Sequence, residues 1–590
     1  MRRVRWLWHR MASAMRLLFP LLVAALACAP SPAKAAVPSQ GRRLTIVAIN
    51  DTHGALLEVA APKWIASSTE SEIGGADWFG GYLEAIRAEA KEHGGAVIVL
   101  DAGDAFQGTL ISNRFQGRSV TDVYNALGVT AAALGNHEFD FGIPVLKERI
   151  AQARYPILAA NVFLKGTRQR PDWLRPSTIV DAGGIRVGII GLATVETPLT
   201  TNPALIAGID FVEGGAVAAQ EADLLRSRGA TVVVISAHAG PGPPENEIQR
   251  IAEAVRGKVD AIASGHHHVS IGPPPLVVEN VPIVQSGSKL QAFSVIELAL
   301  DANGRVTSFA VNEGSLPRSG GPQAILHTYR GQPAQWRGRR IEPDARVAAI
   351  LRSYDREVRA LRETLVGETR VDLRKGSGND LLGNLTSDAL RSGAGGGLKA
   401  QFALQNAGGL RISEIPAGPI TFGQIFDLYP FDNEQVVVSL RAIEVRNALE
   451  AVLHHGKGPM RVSGLRYSID WEKFGAGSDP KGAPDGAIVV RMVDDGGRVL
   501  CETTSCGRHA CQSTCAPGTY TVSVTDFLVS GGDGLTMLQG APKRSRGILA
   551  RDIVVAYVKE HRPLTMEVLG ASQQPRWTQT GSARRVQMGE

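Results

Sequence analysis

Between Leu44 and about Leu300 the sequence alternates short apolar, β-branched runs with longer stretches of helical character. The apolar runs have the length and composition of buried strands, and they are Leu44–Ile49, Val97–Leu100, Val187–Ile190, Val232–Ile235 and Val259–Ala263. Helices are predicted between them, for example at Phe79–Lys91 and Ala216–Arg228. Strands and helices in this alternation are typical of an α/β protein built on layered sheets.

Five short polar motifs each follow an apolar run of this kind. They are Asp51-Thr52-His53-Gly54, Gly103-Asp104, Gly135-Asn136-His137-Glu138, His238, and Gly265-His266-His267-His268. Ligands of layered α/β folds bind just beyond the strand ends, so these side chains are expected to converge. Carboxylate, amide and imidazole ligands together suit Zn²⁺, Mn²⁺, Fe or Co²⁺ better than Ca²⁺.

The spacing predicts a site for two divalent metal ions. Asp51 and His53 can reach one ion from a single loop, with His268 as a further ligand. Asp104 is expected to bridge both ions through its two carboxylate oxygens. The second ion would be completed by Asn136, His238 and His266, whereas His267 is interpreted as a supporting or structural residue. Two such ions clamp both oxygens of an in-line phosphoryl displacement.

His137 directly follows Asn136 and is the candidate catalytic imidazole that binds no metal. It would stabilise the transition state or protonate the leaving oxygen. Asp140 lies three residues further on and could hold the other ring nitrogen of His137. The alternative is that Asp140 caps a helix or turn.

The net charge of +6 arises from the N-terminal segment, because residues 1–35 contain six basic residues and no acid. The remainder is balanced, so no nucleic-acid polymer is expected as a partner. Arg-rich sequence to Arg16, the apolar run Leu17–Ala27 and Ala33-Lys34-Ala35 predict a cleaved signal peptide. The run is too short to span a bilayer. We therefore expect a periplasmic or secreted protein, with a lipid anchor through Cys28 as the less favoured alternative.

Four cysteines remain after removal of the signal peptide, namely Cys501, Cys506, Cys511 and Cys515. In an exported protein an even, closely spaced set favours two local disulfides, of which three pairings are open. The alternative is a structural zinc knuckle.

The chain divides into a catalytic domain at residues 42–325, a linker and connecting helix at 326–365, and a second domain at 366–570. The helix is predicted at Pro343–Glu363, where apolar residues recur at helical spacing between charges. Residues 571–590 are polar and are predicted to be a disordered tail. The sequence carries no signal for an oligomeric state.

The motifs resemble those of the calcineurin-like metallophosphoesterases, and residues 42–570 as a whole resemble the 5′-nucleotidase family. The matching positions are Asp51, His53, Asp104, Asn136, His137, Asp140, His238, His266 and His268. The resemblance implies an α/β fold with a four-layer αββα catalytic domain, joined by a helix to a smaller α+β substrate-binding domain. It also implies that the two domains rotate against each other and carry substrate to the metals.

The second domain carries further motifs similar to those of the family. Asn406-Ala407-Gly408-Gly409-Leu410-Arg411 resembles a loop whose Asn and Arg face the substrate, and its Gly408 and Gly409 would let the backbone approach the ligand. The guanidinium of Arg411 can grip phosphate through two hydrogen bonds. Phe527 matches an aromatic residue that stacks on a nucleobase, and Asp533 matches a ribose-binding carboxylate.

Two further motifs of the second domain match the family pattern, and two positions depart from it. Gly383-Asn384-Leu385 resembles the opening signature of the second domain, and Pro430-Phe431-Asp432-Asn433 is interpreted as structural. Pro459 stands where the second stacking aromatic is expected. Gly376 stands where the family has a phosphate-binding Arg, with Arg374 and Lys375 as the nearby substitutes. These departures concern the substrate and leave the metal site intact.

The leading hypothesis is an exported phosphohydrolase with two divalent metals that cleaves nucleoside 5′-monophosphates or related nucleotides. The first alternative is a sister hydrolase on the same scaffold, acting on 2′,3′-cyclic nucleotides, UDP-sugars or a thiosulfonate. The second is an inert nucleoside-binding surface protein, which the intact ligand set disfavours.

Overall fold

The computed structural model describes residues 42–62, 65, 72–242, 246–272, 274–376, 380–471, 489–506, 511–570 and 575–580. The predicted signal peptide and the lipidation alternative at Cys28 lie outside these residues. No helix within the described ranges has the length and apolar character needed to cross a membrane.

The catalytic half is built on two sheets. In spatial order, the strands of the first are Val306–Val311, Ala292–Leu300, Arg42–Ile49, Ala96–Asp101, Ala131–Ala133 and Ile157–Leu158, with Gln323–Ala324 paired to Ala292–Leu300. Those of the second are Leu276–Val278, Val281–Val284, Ala261–Ser264, Val232–Ala237, Ile185–Leu192 and Ser177–Ala182. The strands that precede the polar motifs are parallel to their neighbours, so these motifs share one edge of each sheet.

The two sheets pack face to face and each carries helices on its outer side. Leu44 and Ile98 of the first sheet share a buried cluster with Val187 and Val234 of the second. On the outer face of the first sheet lie the helices Ala76–Glu92, Arg118–Leu127 and Gly142–Gln152. On the outer face of the second sheet lie Gly214–Ser227 and Glu247–Ala254. The four-layer αββα arrangement is therefore confirmed.

The connecting helix spans Ala345–Arg362, one to two residues shorter at each end than the sequence predicts. Asp344 begins it, because its carboxylate accepts the N–H groups of Arg346 and Val347. Near the other end, Val358 packs with Leu110 of the catalytic half and Phe426 of the second half. The helix thus contacts both halves.

The second half mixes strands and helices, as expected for an α+β domain. One sheet has the order Arg461–Ser463, Phe402–Gln405, Thr519–Thr525, Glu434–Arg441 and Lys543–Leu549. The other has the order Cys511–Cys515, Val499–Cys506, Val489–Asp494, Leu465–Asp470 and Trp577–Thr580. The main helices are Leu381–Ser392, Phe422–Leu428, Ala442–His454 and Ala550–Glu560. Short strand pairs also join Leu365–Thr369 to Gly418–Thr421 and Leu373–Arg374 to Glu414–Ile415.

The prediction that residues 571–590 are a disordered tail is wrong for part of that segment. Trp577–Thr580 forms an edge strand parallel to Leu465–Asp470. The Trp577 side chain is buried in the core of the second half, and Arg576 forms an ion pair with Asp388. A polar segment is ordered here because one aromatic side chain and one buried charge anchor it.

One disulfide joins Cys501 to Cys515 on neighbouring strands. A zinc knuckle made by all four cysteines is therefore wrong, since two of them are already bonded to each other. The side chains of Cys506 and Cys511 lie outside the described residues.

Candidate metal and substrate site

The predicted metal ligands converge where the two sheets meet. Asp51, Asp104 and Asn136 follow strands of the first sheet, and His238 and His266 follow strands of the second. All five side chains are buried or nearly so. The packing of the two sheets therefore places ligands from both around one volume.

Five of the seven predicted ligands have backbone conformations that residues other than glycine rarely adopt. The φ angles are positive at Asp51 (49°), His53 (49°), Asp104 (57°), His266 (79°) and His268 (55°). Such strain persists only where the surrounding structure imposes it, and it is concentrated at functional sites.

Two glycines of these motifs lie so close to the candidate ligands that no side chain fits at their positions. A Cβ on Gly135 would lie 2.2 Å from Asp104 Oδ1, and a Cβ on Gly103 would lie 2.9 Å from His238 Nδ1. Both loops can therefore pack against the ligands only without a side chain at these positions.

Asp51, His53 and His268 form the first candidate metal cluster. His53 Nε2 lies 2.9 Å from His268 Nε2, and His268 Nε2 lies 3.4 Å from Asp51 Oδ1. His53 Nδ1 donates to the carbonyl of Gln107 at 2.8 Å, which leaves a lone pair on Nε2. The three side chains thus direct donor atoms to one point.

Asp104, His238 and His266 form the second cluster. His238 Nε2 is 3.1 Å from Asp104 Oδ2, 3.2 Å from His266 Nδ1 and 3.1 Å from Asn136 Oδ1. His238 Nδ1 donates to the carbonyl of Ala102 at 2.8 Å, so its Nε2 also faces the cluster with a lone pair in the neutral form.

Asp104 stands between the two clusters, but it presents one oxygen to them and not two. Its Oδ2 lies 3.1 Å from His238 Nε2 and 3.9 Å from His53 Nε2. Its Oδ1 accepts the backbone N–H of His137 at 2.8 Å. A single carboxylate oxygen thus faces both groups here, whereas the expected bridge uses both oxygens.

The donor set fits divalent cations. Imidazole nitrogens that face one another at hydrogen-bond distance cannot all carry protons, and a shared cation satisfies their lone pairs together. Without a cation, burial lowers the pKa of His238 but the Asp104 carboxylate outweighs this and raises that pKa to about 10. For Asp104 burial acts in the opposite direction and raises the pKa, but His238 and His137 outweigh it and hold that pKa well below its usual range. The side chains thus form a tightly coupled cluster of donors.

His137 lies beside this cluster, with its Nε2 4.0 Å from Asp104 Oδ2. Its Nδ1 donates to Asp140 Oδ2 at 2.6 Å. Burial lowers the pKa of His137, but Asp140 and Asp104 outweigh this, so the pKa is raised and the protonated imidazole is favoured. Asp140 therefore fixes which nitrogen of His137 faces the site.

Glu138 has a structural role that the sequence reasoning missed. Its carboxylate accepts the backbone N–H groups of Asp104 (3.0 Å), Ala105 (2.7 Å), Phe106 (3.3 Å) and Gly135 (2.7 Å). One buried side chain thus fixes two loops that carry metal candidates. Its place directly after Asn136 and His137 in the same motif was the signal that could have found it.

His267 belongs to neither of these two clusters. A Cβ on Gly240 would lie 1.9 Å from His267 Nδ1, so the imidazole packs against that glycine. It also lies close to Glu196 and His266, which makes a third group of three potential ligands. Lys457 Nζ lies 2.8 Å from Glu196 Oε2, so an ammonium group already neutralises this carboxylate.

Arg411 brings the second half into the metal site. Its Nη2 donates to His53 Nε2 at 3.0 Å, and its guanidinium lies over the ring of Phe431 at 5.8 Å. A Cβ on Gly409 would lie 2.5 Å from Gln405 Nε2, whereas nothing lies within 4 Å of a Cβ on Gly408. A side chain at Gly409 would therefore clash with its neighbours, whereas Gly408 faces open space.

Asn406 and Asp533 are brought together, since Asn406 Nδ2 donates to Asp533 Oδ2 at 2.7 Å. Asp533 has a positive φ of 52°. Phe527 is half-buried, and a Cβ on Gly532 would lie 2.4 Å from its ring. The Gly531–Gly534 turn therefore holds both the carboxylate and the edge of the aromatic ring.

Phe431, interpreted from sequence as structural, lies at the site instead. Its ring centroid is 5.6 Å from that of His137, and the ring is half-buried. The segments of Phe431 and Phe527 are tied together, because Glu434 N–H donates to Asp526 Oδ1 at 3.0 Å. Pro459 is buried and its carbonyl accepts from Arg461 at 2.7 Å. Pro459 offers no aromatic ring, and Phe431 brings one to the site from another segment.

The cations near Gly376 also differ in position. Arg374 is exposed and forms ion pairs with Asp372 and Glu414. Lys375 Nζ donates to the carbonyl of Leu410 at 3.1 Å, next to Arg411. Burial and the neighbouring Arg461 lower the pKa of Lys375 to about 8. Of the two substitutes, Lys375 lies beside the Arg411 loop and Arg374 lies on the surface.

Two layered sheets with these ligands at their shared edge define a calcineurin-like metallophosphoesterase, and family comparison agrees. Residues 44–270 match the model of the calcineurin-like phosphoesterases, and residues 362–540 match that of the 5′-nucleotidase C-terminal domain. The chain belongs to the 5′-nucleotidase family and is a metal-dependent phosphoester hydrolase.

Relatives with the same two-part organisation span most of the chain. The snake venom 5′-nucleotidase of Naja atra is 28% identical over 88% of this chain and 96% of its own length. The 5′-nucleotidase of Bos taurus is 26% identical over 90% of each. The crystal structure of a 5′-nucleotidase precursor from Thermus thermophilus has a TM-score of 0.71 and 28% identity, covering 92% of this chain and all of that one. A sulfate thiohydrolase from Thermus thermophilus, with a TM-score of 0.66 and 18% identity over 92% of this chain and 97% of that one, shows the fold alone.

Proposed function

We propose that the protein is an exported phosphohydrolase with two divalent metals, cleaving nucleoside 5′-monophosphates or related nucleotides to nucleoside and phosphate. The observation that carries the proposal is the position of Arg411, whose Nη2 lies 3.0 Å from His53 Nε2 of the metal cluster although Arg411 belongs to the second half. Phosphate-binding and metal-binding groups thus face one volume. The relatives named 5′-nucleotidase support the substrate class.

In this proposal Asp51, His53 and His268 hold one ion, and Asn136, His238 and His266 hold the other. Asp104 is shared through its Oδ2. Two divalent ions bound there would polarise the phosphoryl oxygens and lower the pKa of an attacking water.

The side chains around the cluster perform the remaining steps. His137 acts as the imidazolium, whose Nδ1–H is held by Asp140 and whose Nε2–H is passed to the leaving 5′-oxygen. Arg411 orients the phosphate through its planar guanidinium, which can form two parallel hydrogen bonds. Both groups act on charge that develops in the transition state, where fixed donors contribute most.

The nucleoside is bound by the second half. Asn406 and Asp533, already hydrogen-bonded to each other, offer an amide and a carboxylate to the ribose hydroxyls. Phe431 and Phe527 offer two aromatic faces to the base, and base stacking is worth about 1–3 kcal/mol per base. Gly408 leaves open space beside this loop, so substrate can approach the backbone.

We place the catalytic domain at residues 42–325, the linker and connecting helix at 326–365, and the substrate-binding domain at 366–570. Export follows from the predicted signal peptide at residues 1–35, so the mature enzyme would act in the periplasm or outside the cell.

Phosphate release by the purified mature protein tests the proposal. We expect release from AMP with Mn²⁺ or Zn²⁺, loss on chelation, and recovery when the metal is returned. His137→Ala should lower kcat by about 10²–10⁴-fold, the range of a general acid, while metal content stays at two ions per chain.

The substrate panel includes UDP-glucose, 2′,3′-cyclic AMP and bis-p-nitrophenyl phosphate. Activity confined to these would replace the nucleotidase assignment by a sister specificity. No release from any of them by a protein with two bound ions would contradict the proposed phosphohydrolase activity.

A further inference from the structure

Lys289 joins a metal candidate loop to the backbone of Arg411. It lies in the turn between the strands Val281–Val284 and Ala292–Leu300. Its backbone N–H donates to the carbonyl of Asp51 at 2.7 Å, and its Nζ donates to the carbonyl of Arg411 at 2.9 Å. Since the Arg411 guanidinium reaches His53, two residues after Asp51, the contacts close a ring between the two halves.

The backbone at Lys289 is held in a conformation that the surrounding structure imposes. Its own φ is 57° and that of Leu290 is 49°, so two successive residues occupy the left-handed region. Non-glycine residues keep this conformation only where the surrounding structure imposes it. A Cβ on Gly74 would lie 3.2 Å from the Leu290 carbonyl, which shows how closely the catalytic half packs around the turn.

The charged form of the Lys289 side chain is energetically disfavoured at this position. Burial lowers its pKa, and the positive charge of Arg411 lowers it further, while Asp427 opposes both effects. A cation is retained beside another cation only if its hydrogen bond compensates for the repulsion. An ammonium donating to a carbonyl forms a charge-assisted bond, which is stronger than a neutral one.

Contacts from its own half hold the Arg411 loop as well. The Arg411 N–H donates to the carbonyl of Leu428 at 2.9 Å, and Lys375 Nζ donates to the carbonyl of Leu410 at 3.1 Å. Neither contact relates the loop to the metal cluster. Lys289 does so, because its backbone is fixed to Asp51.

We propose that Lys289 is a positioning residue, which holds the Arg411 backbone against the catalytic half so that the guanidinium faces the metal cluster. The proposal rests on the proposed function in one respect, namely that Arg411 binds the substrate phosphate. It predicts that Lys289 acts through Arg411 and not directly on the substrate.

A double-mutant cycle with the full chain and its metals tests this prediction. Lys289→Met keeps the side-chain length and removes the donor, and it should lower kcat/KM for AMP by about tenfold to a hundredfold, the range for a lost charge-assisted hydrogen bond. Lys289→Arg keeps a donor and should recover much of the loss. In an Arg411→Met background, Lys289→Met should cost no more than about twofold. Equal losses in both backgrounds would overturn the proposal.

Hydrogen exchange supplies a readout that needs no activity. Peptides covering residues 405–412 should exchange about tenfold faster in Lys289→Met, because the loop opens more often. Unchanged exchange would overturn the proposal even if activity falls. Failure of the wild type to release phosphate would instead contradict the proposed function, and the exchange result would still decide the role of Lys289.

Two further variants make the result unambiguous. Lys147→Met removes an exposed lysine from the catalytic half and should change neither activity nor exchange. If Lys289→Met does not fold, Lys289→Gln replaces it, since its shorter amide cannot reach the Arg411 carbonyl. Every Lys289 variant should retain two bound metal ions, as measured by metal analysis.

Discussion

Single residues at this site do several tasks at once, and Glu138 is the clearest case. Its buried carboxylate accepts backbone N–H groups from two loops, and Asp104 on one of those loops faces both metal clusters. Burial, together with the charge of Asp104, raises the pKa of Glu138 to about 7. The energy of keeping a carboxylate here is offset by the order it imposes on ligand loops.

Glu247 allows a test of how a buried acid affects stability. It begins the helix Glu247–Ala254 and accepts from Thr194 Oγ1 at 2.7 Å and Val195 N–H at 3.1 Å. Burial raises its pKa from 4.5 to about 7. The folded state therefore binds a proton that the unfolded state releases, and stability falls as pH rises from about 4.5 to about 7.

We predict that Glu247→Gln removes this loss. The free energy of unfolding of the variant, relative to wild type, should rise by roughly 3 kcal/mol between pH 4.5 and pH 7.5 and stay level above that. Urea unfolding of the metal-loaded protein at several pH values measures it. Gln249→Ala, an exposed substitution in the same helix, is the control. Parallel pH profiles of the Gln variant and wild type would show that Glu247 is ionised in the folded state.

A second prediction concerns Phe431. Phe431→Leu should raise KM for AMP by about tenfold, because a stacking face is lost. Ribose 5-phosphate, which has no base, should be hydrolysed as well by the variant as by wild type. An equal loss on both substrates would mean that Phe431 acts on Arg411 or His137, which its ring also contacts. Steady-state kinetics on the two substrates separate these roles.

These residues also show what the sequence could and could not predict at this scale. The convergence of the candidate metal ligands was predictable, because parallel strands bring their carboxyl ends together and each motif follows a strand. Phe431 was not, because its position depends on how the second half is seated on the first. Motif position alone gave no way to distinguish a structural phenylalanine from one beside His137 and Arg411.

At the scale of elements, the edge strand Trp577–Thr580 completes a sheet whose other strands are far away in sequence. Its pairing with Leu465–Asp470 is parallel, and Trp577 is 4% exposed. The sequence could not predict the strand, because one buried aromatic among polar residues carries no periodic pattern. By contrast, the connecting helix was predicted within two residues from the helical spacing of its apolar residues.

The strand should contribute strongly to the stability of the second half. Trp577→Ala is predicted to lower the free energy of unfolding by about 3–5 kcal/mol, since a large buried side chain is removed. Thr578→Ala, exposed on the same strand, should change it by less than about 0.5 kcal/mol. Urea unfolding of both variants gives the comparison. Similar stabilities would mean that the core of this half does not depend on the strand.

At the scale of the whole molecule, a few polar contacts join the second half to the catalytic half. Besides Arg411 and Lys289, Asn113 Nδ2 donates to the carbonyl of Pro430 at 2.9 Å, and Lys457 pairs with Glu196 at 2.8 Å. Polar interfaces within a chain resemble transient ones, so relative movement of the two halves is the default expectation. The family resemblance implies such movement, and these contacts are the ones that it would break.

The Lys457–Glu196 pair tests that idea because its partners belong to different halves. The side chains are 21% and 11% exposed, so the attraction is only partly screened by solvent. Lys457→Met should favour a more open arrangement and raise KM for AMP about fivefold at low salt, which corresponds to roughly 1 kcal/mol. Small-angle scattering should show a larger radius of gyration for the variant.

The dependence of KM on ionic strength shows whether the Lys457–Glu196 contact acts through charge or through packing. Raising the ionic strength from about 0.05 to about 0.5 M shortens the Debye length severalfold, so the wild type should approach the variant in KM while the variant changes little. Lys457→Arg keeps the charge and should behave like wild type at both salt concentrations. If the difference between wild type and Lys457→Met is independent of salt, the lysine contributes by packing. The closed arrangement would then depend on Arg411, Lys289 and Asn113, whose donors are directed at atoms across the interface.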